Sequence, residues 1–160
     1  MLKASSLKIL KLIIFITICM TAGFLSSFYT KLSLNTWYKT LAKPWFIPPR
    51  WFFSSAWIVL FILMGISLFI ISEHKTTYEK SKALLVFDVQ WVAHICWPIA
   101  FFVLCSPLAG LIGILILLSL IMLTIYLFYD LSKTAAFLLI PHALWAGFAT
   151  LVSASIYYLN

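Results

Sequence analysis

The sequence predicts an all-α integral membrane protein, a bundle of five transmembrane helices. Of its 160 residues, 64% are hydrophobic and only 9% are charged. A soluble domain of this size has too little interior to bury so much apolar surface, so the bilayer is the solvent that fits this composition. The apolar runs also lack the alternation of barrel strands, and in hydrocarbon only helices and closed barrels satisfy their own backbone polar groups.

Five apolar runs have the length of about 20 residues that a spanning helix needs. They cover roughly residues 9–28, 51–71, 83–104, 108–129 and 135–159. We interpret residues 1–160 as one membrane domain. A signal peptide is the alternative for the first run, with Lys3, Lys8 and Lys11 as its basic end. We favour a retained helix, because the run is longer than a signal peptide and lacks a convincing cleavage site.

The formal charge of +7 reflects membrane topology. Five spans place the amino terminus and the second and fourth connections on one side, and these segments contain Lys3, Lys8, Lys11, Lys75, Lys80, Lys82 and Lys133. The first connection, on the other side, contains Lys31, Lys39, Lys43 and Arg50. The positive-inside rule then predicts a multi-pass protein of the cell membrane with a cytoplasmic amino terminus, a mitochondrial membrane being the alternative. The lysines do not indicate a nucleic-acid partner.

The first connection, about residues 29–50, is long, aromatic and stiff. Its stretch KPWFIPPRW contains Pro44, Pro48 and Pro49, which fix backbone angles and argue against disorder. An interfacial aromatic belt accounts for the tryptophans and tyrosines but not for the prolines. A rigid cover over the mouth of the helix bundle accounts for both. We therefore expect the first connection to cap a cavity.

Three of the predicted helices carry aromatic stripes at helical spacing. The stripes are Trp57, Phe61, Met64 and Leu68 in the second helix; Gln90, His94, Trp97 and Phe101 in the third; and His142, Trp145, Ala149 and Ser153 in the fifth. An apolar pocket with a few convergent polar groups is typical of a small-molecule site. Plain core packing is the alternative, and axial ligation of haem iron by the two histidines is a weaker one. We read Asp88, on the opposite side of the third helix, as structural, able to reach the membrane interface or to pair with Lys82 or Lys133.

Several kinds of chemistry are not supported by the sequence. Its three cysteines form no CxxC or CxxCH motif, so neither a metal knuckle nor covalently attached haem is indicated. A Ser-His-Asp order, an HExxH motif and a phosphate-binding glycine-rich loop are also lacking. We therefore expect no metal and no cofactor, and no ordinary hydrolase or ATPase chemistry.

The first connection resembles a family motif. Trp37-Tyr38, Leu41, Lys43-Pro44 and Pro48-Pro49 match the block WYxxLxKPxxxPP of the tryptophan-rich sensory protein family (TspO/MBR), which includes the translocator protein or peripheral-type benzodiazepine receptor. The chain is most similar in character to bacterial members. Further matches follow in the second, third and fifth helices: Trp57, Leu60, Met64-Gly65, Gln90, Trp97, Phe101-Phe102, Pro141, Leu144-Trp145, Phe148-Ala149 and Leu159-Asn160.

Five positions depart from the family pattern. His94 stands where Asn is usual, Pro98 where Ser or Thr is common, Phe61 and His142 where Tyr is usual, and Ser153 at a frequent Asn. Several of these positions face the expected pocket. The resemblance therefore implies a family fold whose ligand preference differs from that of better-known members.

The resemblance implies a five-helix bundle, often dimeric, with a cavity closed by the first connection. Its implied function is that of a receptor, sensor or transporter binding protoporphyrin IX, haem-type tetrapyrroles and related flat hydrophobic molecules. The alternative is an enzyme that degrades protoporphyrin IX with light and oxygen through Trp57 and Trp145. A dimer contact is weakly indicated by Cys96 with Ala100 and by Gly110 with Gly113. The expected ligand-binding residues are Tyr38, Pro44, Pro48, Pro49, Trp57, Phe61, Gln90, His94, Trp97, His142, Trp145, Phe148 and Ala149.

Overall fold

The structure, a computed structural model, describes residues 2–160, with side chains from residue 6 onward except that of Arg50. The predicted charges of Lys3 and Arg50 therefore lie outside the described side chains. The helices are α1 (Leu2–Leu34), α2 (Trp37–Thr40), α3 (Arg50–Ser72), α4 (Tyr78–Pro98), α5 (Pro107–Leu131) and α6 (Lys133–Leu159), and a π-helix, Ile99–Val103, continues α4. Within residues 2–160, five of these helices are long and apolar enough to cross a membrane: α1, α3, α4 with its π-helical end, α5 and α6.

Side-chain caps fix where three of the spanning helices begin. Thr77, Ser106 and Ser132 each accept a hydrogen bond from a backbone N–H in the first turn of α4, α5 and α6, respectively. Such caps satisfy donors that the helix itself leaves unpaired. Pro107 opens α5, at the one helical position where a missing N–H costs nothing. The short connections between α4, α5 and α6 are thus set by local sequence.

The five predicted spans are confirmed: to within one residue, four of the predicted runs each lie within one observed helix, and the run 83–104 lies within α4 and its π-helical continuation. The first two observed connections are shorter than predicted, because α1 continues to Leu34 and α4 already begins at Tyr78. Hydropathy marks only the part of a helix that lies in hydrocarbon, and polar turns beyond it remain helical when no glycine or proline interrupts them. At 1.5 Å per residue, the 33 residues of α1 extend about 50 Å, well beyond the hydrocarbon thickness.

The helices form a closed ring. Going around it, α1 packs against α3, α3 against α6, α6 against α5, α5 against α4, and α4 against α1. The inner faces of all five therefore meet along one axis. The first connection, including α2, lies across one end of the ring, where it packs on Phe101, Phe102, Val152 and Ile156.

The ring has two differently packed halves. The half away from the first connection, here called the closed half, has a solid core that includes Met64, Ile71, Phe87, Phe128 and Leu139, each at most 1% exposed. The half beneath the first connection, here called the lid half, is lined by larger aromatic side chains and contains a cavity. The first connection itself is called the lid below.

Candidate functional site

A cavity of about 450 Å³ lies inside the lid half. Trp57, Phe61, Trp97 and Phe101 give it aromatic walls, and the hydroxyl groups of α1 together with His94 give it a few polar points. The volume falls within the range of about 300–1,000 Å³ that is usual for small-molecule sites, and so does the mixture of apolar walls and few polar groups. No acidic side chain is among the described residues that line it.

The lid contributes Tyr38, Ile47 and Pro48 to the cavity wall. The Tyr38 ring packs 5.4 Å from that of Phe102, measured between centroids, and the Lys43 ammonium lies 4.8 Å from the centroid of the Tyr38 ring. The Asn160 side chain also restrains the lid through two hydrogen bonds. Its Oδ1 accepts from the Ala42 N–H at 2.9 Å, and its Nδ2 donates to the Ala42 carbonyl at 3.0 Å. The end of α6 is therefore bonded directly to the lid.

The helix α4 is interrupted where it borders the cavity. Pro98 has no N–H, so the carbonyl of His94, one turn earlier, loses its usual donor. The Ser26 hydroxyl of α1 donates to that carbonyl at 2.8 Å, and the Ser33 hydroxyl donates to the Phe102 carbonyl in the π-helix. Proline and π-helix are tolerated in membranes where neighbouring side chains satisfy the freed backbone groups. These two bonds tie α1 to the interrupted part of α4 and its π-helical continuation.

Two histidines lie side by side beneath the cavity. The rings of His94 and His142 have centroids 4.7 Å apart and planes inclined by 44°, and the side chains are 2% and 0% exposed. Only His94 borders the cavity. The rings of Trp57 and Phe61 pack edge-on against both histidines. Nε2 of His94 and both ring nitrogens of His142 are buried without a hydrogen-bond partner among the described residues.

This spacing disagrees with the alternative in which both histidines ligate one haem iron from opposite sides. A metal–imidazole nitrogen bond is about 2 Å long and the ring centroid lies about 1 Å beyond the nitrogen, so two imidazoles on opposite sides of one metal have centroids roughly 6 Å apart. The observed separation of 4.7 Å is too short for this arrangement. Among residues 2–160 the described side chains also contain no group of three or more His, Cys, Asp or Glu residues that could hold a metal ion.

The two tryptophans expected to share the pocket lie on different sides of α3. Trp57 lines the cavity, whereas Trp145 lines an apolar groove on the outer surface between α3 and α6, together with Phe52 and Leu144. The two indoles still touch, with centroids 6.4 Å apart and planes at 87°. The Trp145 Nε1 atom is buried and has no partner among the described residues. Trp57 therefore stands between Trp145 and the cavity.

Some of the thirteen expected ligand-binding residues line the cavity, and the others lie behind its wall. Of the thirteen, the cavity lining contains Tyr38, Pro48, Trp57, Phe61, His94, Trp97 and Ala149. Gln90 lies one turn deeper, fully buried, where its Nε2 approaches the Met64 sulfur at 3.5 Å. Phe148 packs between Phe46 of the lid and Trp145. Pro44 accepts the backbone bond that closes the turn to Ile47, and Pro49 precedes α3. These residues support the cavity from behind.

Sequence reasoning missed the contribution of α1. Gly23, Ser26, Ser27 and Thr30 line the cavity along one face of that helix. The signal was present as small and hydroxylated residues at helical spacing inside an apolar run. It was weak, because serine and threonine in a spanning helix often bond to their own backbone, as Thr30 does to the Ser26 carbonyl.

Two minor expectations need correction. Asp88 lies on the exposed face of α4 and forms no ion pair with Lys82 or Lys133. Gly110 and Gly113 face inward: a Cβ on Gly110 would lie 2.1 Å from the Phe101 ring, and one on Gly113 would lie 3.3 Å from Trp97. These glycines make room for Trp97 of α4 and Phe101 of the π-helix within the same chain, so they are not free to form a dimer contact.

Comparison with known proteins gives a consistent result. The model of the TspO/MBR family matches residues 15–159. The tryptophan-rich protein TspO of Archaeoglobus fulgidus is 40% identical over 96% of this chain and 99% of its own length, and that of Chlorobaculum tepidum is 36% identical over 96% and 98%. The translocator protein of Bos taurus is 29% identical over 82% of this chain and 79% of its own length. The similarity thus extends over all five spanning helices.

Proposed function

The chain belongs to the TspO/MBR family of multi-pass membrane proteins, and from this premise we propose that it binds porphyrins in the cavity of the lid half as a receptor, sensor or transporter. The ligands proposed are protoporphyrin IX, haem-type tetrapyrroles and related flat hydrophobic molecules. The observation that carries the proposal is the cavity of about 450 Å³ walled by Trp57, Phe61, Trp97 and Phe101 under a proline-stiffened lid. Aromatic faces supply stacking area for a flat ring, and a preformed lid lowers the ordering cost of binding.

A cavity-filling substitution tests this proposal. Ala149 borders the cavity and is 2% exposed, so Ala149→Phe would occupy the space that a porphyrin needs. We expect the affinity for protoporphyrin IX, titrated by quenching of tryptophan fluorescence in detergent micelles, to fall at least tenfold. Leu151→Phe adds similar bulk to an outward-facing position of α6 and should bind like the original chain. Equal affinity of both variants would place the ligand outside the cavity.

The contact between Trp57 and Trp145 favours a second candidate function, light- and oxygen-dependent degradation of protoporphyrin IX. Trp57 lies at the cavity wall, and Trp145 contacts it edge-on from behind. Indole rings are readily oxidised, so a light-excited porphyrin held against Trp57 has an oxidisable neighbour. Illumination in air should then bleach the bound porphyrin, and Trp57→Phe should slow the bleaching, while Trp45→Phe, which changes an indole 95% exposed in the lid, should not. Equal bleaching rates in both variants would reject this role.

We also propose a cytoplasmic amino terminus in the cell membrane and a homodimer. The lysine distribution supports the orientation, and the outward position of Cys96 on α4 supports a helix–helix contact there. Reporter fusions at both ends test the orientation, since an external amino terminus contradicts it. Cross-linking in native membranes tests the dimer, and the absence of a doubled mass would reject it.

A further inference from the structure

We infer that Lys31, at the mouth of the cavity, binds a carboxylate of the ligand and thereby selects porphyrins with free propionate groups over their neutral esters. This inference rests on the proposed porphyrin-binding function and makes it more specific. It names the chemical group that the site recognises and the edge of the porphyrin that faces outward. Position 31 is not among the ligand-binding residues expected from the sequence.

The mouth of the cavity lies between α1 and α3. Most of the residues that line the cavity are buried or half-buried. The described lining residues that are exposed all belong to these two neighbouring helices: Phe24, Ser27 and Lys31 on α1, and Ser54 and Ile58 on α3. A residue that both lines a cavity and is exposed stands where the cavity opens. The three residues of α1 are three and four positions apart, so they form one stripe along that helix.

Lys31 stands at the lid end of this mouth, in the last turn of α1. A lysine in such a position lays its aliphatic stem along apolar surface and keeps its ammonium group in polar surroundings. Among the described lining residues it is the only Lys, Arg, Asp or Glu. It forms no ion pair or side-chain hydrogen bond with another described residue. The ammonium group is therefore available to a ligand.

No acidic side chain stands near the mouth to neutralise Lys31. The acidic residues of the chain are Glu73, Glu79, Asp88 and Asp130. Glu73 follows α3, Glu79 lies in the first turn of α4 and Asp130 lies in the last turn of α5, so all three belong to the end of the bundle opposite the lid. Asp88 lies on the exposed face of α4. The surroundings of the mouth are therefore positively charged, which favours an anionic group on the ligand.

The interior of the cavity disfavours an ionised carboxylate. Its walls are largely apolar and aromatic, and moving an unpaired carboxylate from water into such surroundings is costly. The propionate groups of protoporphyrin IX share one edge of the ring, so the ring enters with its opposite edge first and leaves the propionates at the mouth. There the Lys31 ammonium supplies the opposite charge, and hydrogen bonds from a charged donor to a carboxylate are stronger than those between neutral groups. The hydroxyl groups of Ser27 and Ser54 are further donors at the same opening.

The test compares protoporphyrin IX with its dimethyl ester, which has the same ring but no ionised propionate. Both are titrated by quenching of tryptophan fluorescence, with the full chain in detergent micelles. Lys31→Met keeps the length of the side chain and removes its charge. We expect the ratio of free-acid affinity to ester affinity to be about fivefold to tenfold higher in the unmodified chain than in Lys31→Met. Comparing ratios between chains cancels the unequal partition of the two porphyrins into micelles.

Two further variants sharpen this comparison. Lys31→Arg keeps the positive charge and should keep the ratio of the unmodified chain. Lys39→Met is the matched control, because Lys39 is an exposed lysine of the lid that does not line the cavity. It removes the same charge from the same end of the bundle and should leave the ratio unchanged. An equal fall of the ratio in Lys39→Met and Lys31→Met would assign the preference to the overall charge of the lid and overturn the inference.

The outcomes separate the two proposals. If the unmodified chain binds neither porphyrin, the proposed function and this inference both fail. If it binds both porphyrins and Lys31→Met has the same affinity ratio, only this inference fails. Thermal unfolding of each variant is measured alongside, and Lys31→Gln replaces Lys31→Met if that variant does not fold.

Discussion

The closed half and the lid half of the bundle use the same five helices but are packed in different ways. In the closed half, small residues let helices approach until backbone meets backbone: a Cβ on Gly65 of α3 would lie 2.6 Å from the Cα of Ile16 in α1. In the lid half, bulky rings keep the helices apart, and a cavity of about 450 Å³ lies between them. In a bilayer, where lipid is as apolar as leucine, close packing is the main source of helix association.

Both halves bury polar groups, but these groups differ in their surroundings. The lid half contains the interrupted part of α4, the hydroxyl groups that satisfy its free carbonyls, and the unpartnered Nε2 of His94. In the closed half, beside the apolar side chains of the core, the Ser67 hydroxyl donates to the Ala135 carbonyl at 2.8 Å. Gln90 lies there against Met64, with its Oε1 unpartnered among the described residues. The close packing of the closed half stabilises the bundle. This stability permits a lid half that contains a cavity and an unpaired polar group and is open to a ligand. Each prediction below perturbs one half and measures the stability of the bundle, the mobility of the lid or the binding of porphyrin.

The largest effect on stability is expected from Gly65→Val in the closed half. The new side chain meets the Ile16 backbone, at 2.6 Å from Cα and 2.9 Å from N, and backbone cannot move aside as a side chain can. Overpacking of this kind costs about 1–3 kcal/mol, and the backbone clash places this variant at the upper end. Thermal unfolding in detergent measures it. Gly147→Ala is the matched control, because a Cβ there meets nothing within 4 Å, and it should be neutral or slightly stabilising. Equal melting temperatures for the two variants would contradict the closed packing of α1 on α3.

The next prediction changes the lid and leaves the closed half intact. Replacing Pro48 and Pro49 by alanine should weaken porphyrin binding and leave the melting temperature of the bundle unchanged. Both prolines precede α3 and contribute rigidity, and backbone freedom costs about 1–2 kcal/mol per residue to remove on binding. Loss of about 1.4 kcal/mol lowers the affinity tenfold. Titration by tryptophan quenching decides, and unchanged affinity would mean that the lid is only an interfacial aromatic belt.

A smaller effect is expected where the lid is bonded to α6. Asn160→Leu removes the two hydrogen bonds to Ala42, whose lengths are 2.9 and 3.0 Å. Solvent-accessible bonds of this kind contribute at most about 1 kcal/mol together, so porphyrin affinity should fall no more than about fivefold. Hydrogen exchange in the lid segment should accelerate. Tyr158→Leu, at a side chain 89% exposed, is the control. If both variants exchange alike, the bonds to Ala42 do not restrain the lid.

The sequence predicts the closed half better than the lid half, for physical reasons. Hydropathy locates the spans because the bilayer imposes one solvent on a continuous run of residues. Helical periodicity also places His94 and His142 on inward faces, which the structure confirms by their burial. Periodicity does not determine how one helix is rotated relative to another. For that reason Trp57 and Trp145 were expected to face one cavity, whereas Trp57 lines the cavity and Trp145 lines the outer groove.

Contacts between distant segments were the least predictable. The bonds between Asn160 and Ala42 join residues 118 positions apart, and neither residue type signals the pairing. The bond from Ser26 to the His94 carbonyl depends on the missing N–H of Pro98, which is visible in the sequence, but the donor on α1 is not. Local rules therefore identify which groups need a partner, and only packing identifies the partner.

The smallest effect is expected at the water-facing end of the closed half. The Lys11 ammonium donates to Glu73 Oε1 at 2.6 Å, and Lys8 lies 3.7 Å from Oε2. The hydrogen bond from Lys11 holds the pKa of the Glu73 carboxyl below its usual value of 4.5. Partial burial raises this pKa by less, and the positive charges of Lys11 and Lys8 lower it further. Because the folded pKa is depressed, this pair stabilises the fold above about pH 4.5, and the contribution is lost as the pH falls through the folded pKa.

Glu73→Gln should therefore lower the melting temperature slightly near pH 7, and this effect should diminish as the pH falls through the lowered pKa of the Glu73 carboxyl. Both partners are partly exposed, and ion pairs in such positions contribute little. Glu79→Gln, in the first turn of α4, changes the same net charge away from α1 and serves as the control. Melting curves at several pH values compare the two. A drop for Glu73→Gln that persists unchanged at low pH would show that shape or hydrogen bonding, and not the charge of Glu73, ties α1 to the end of α3.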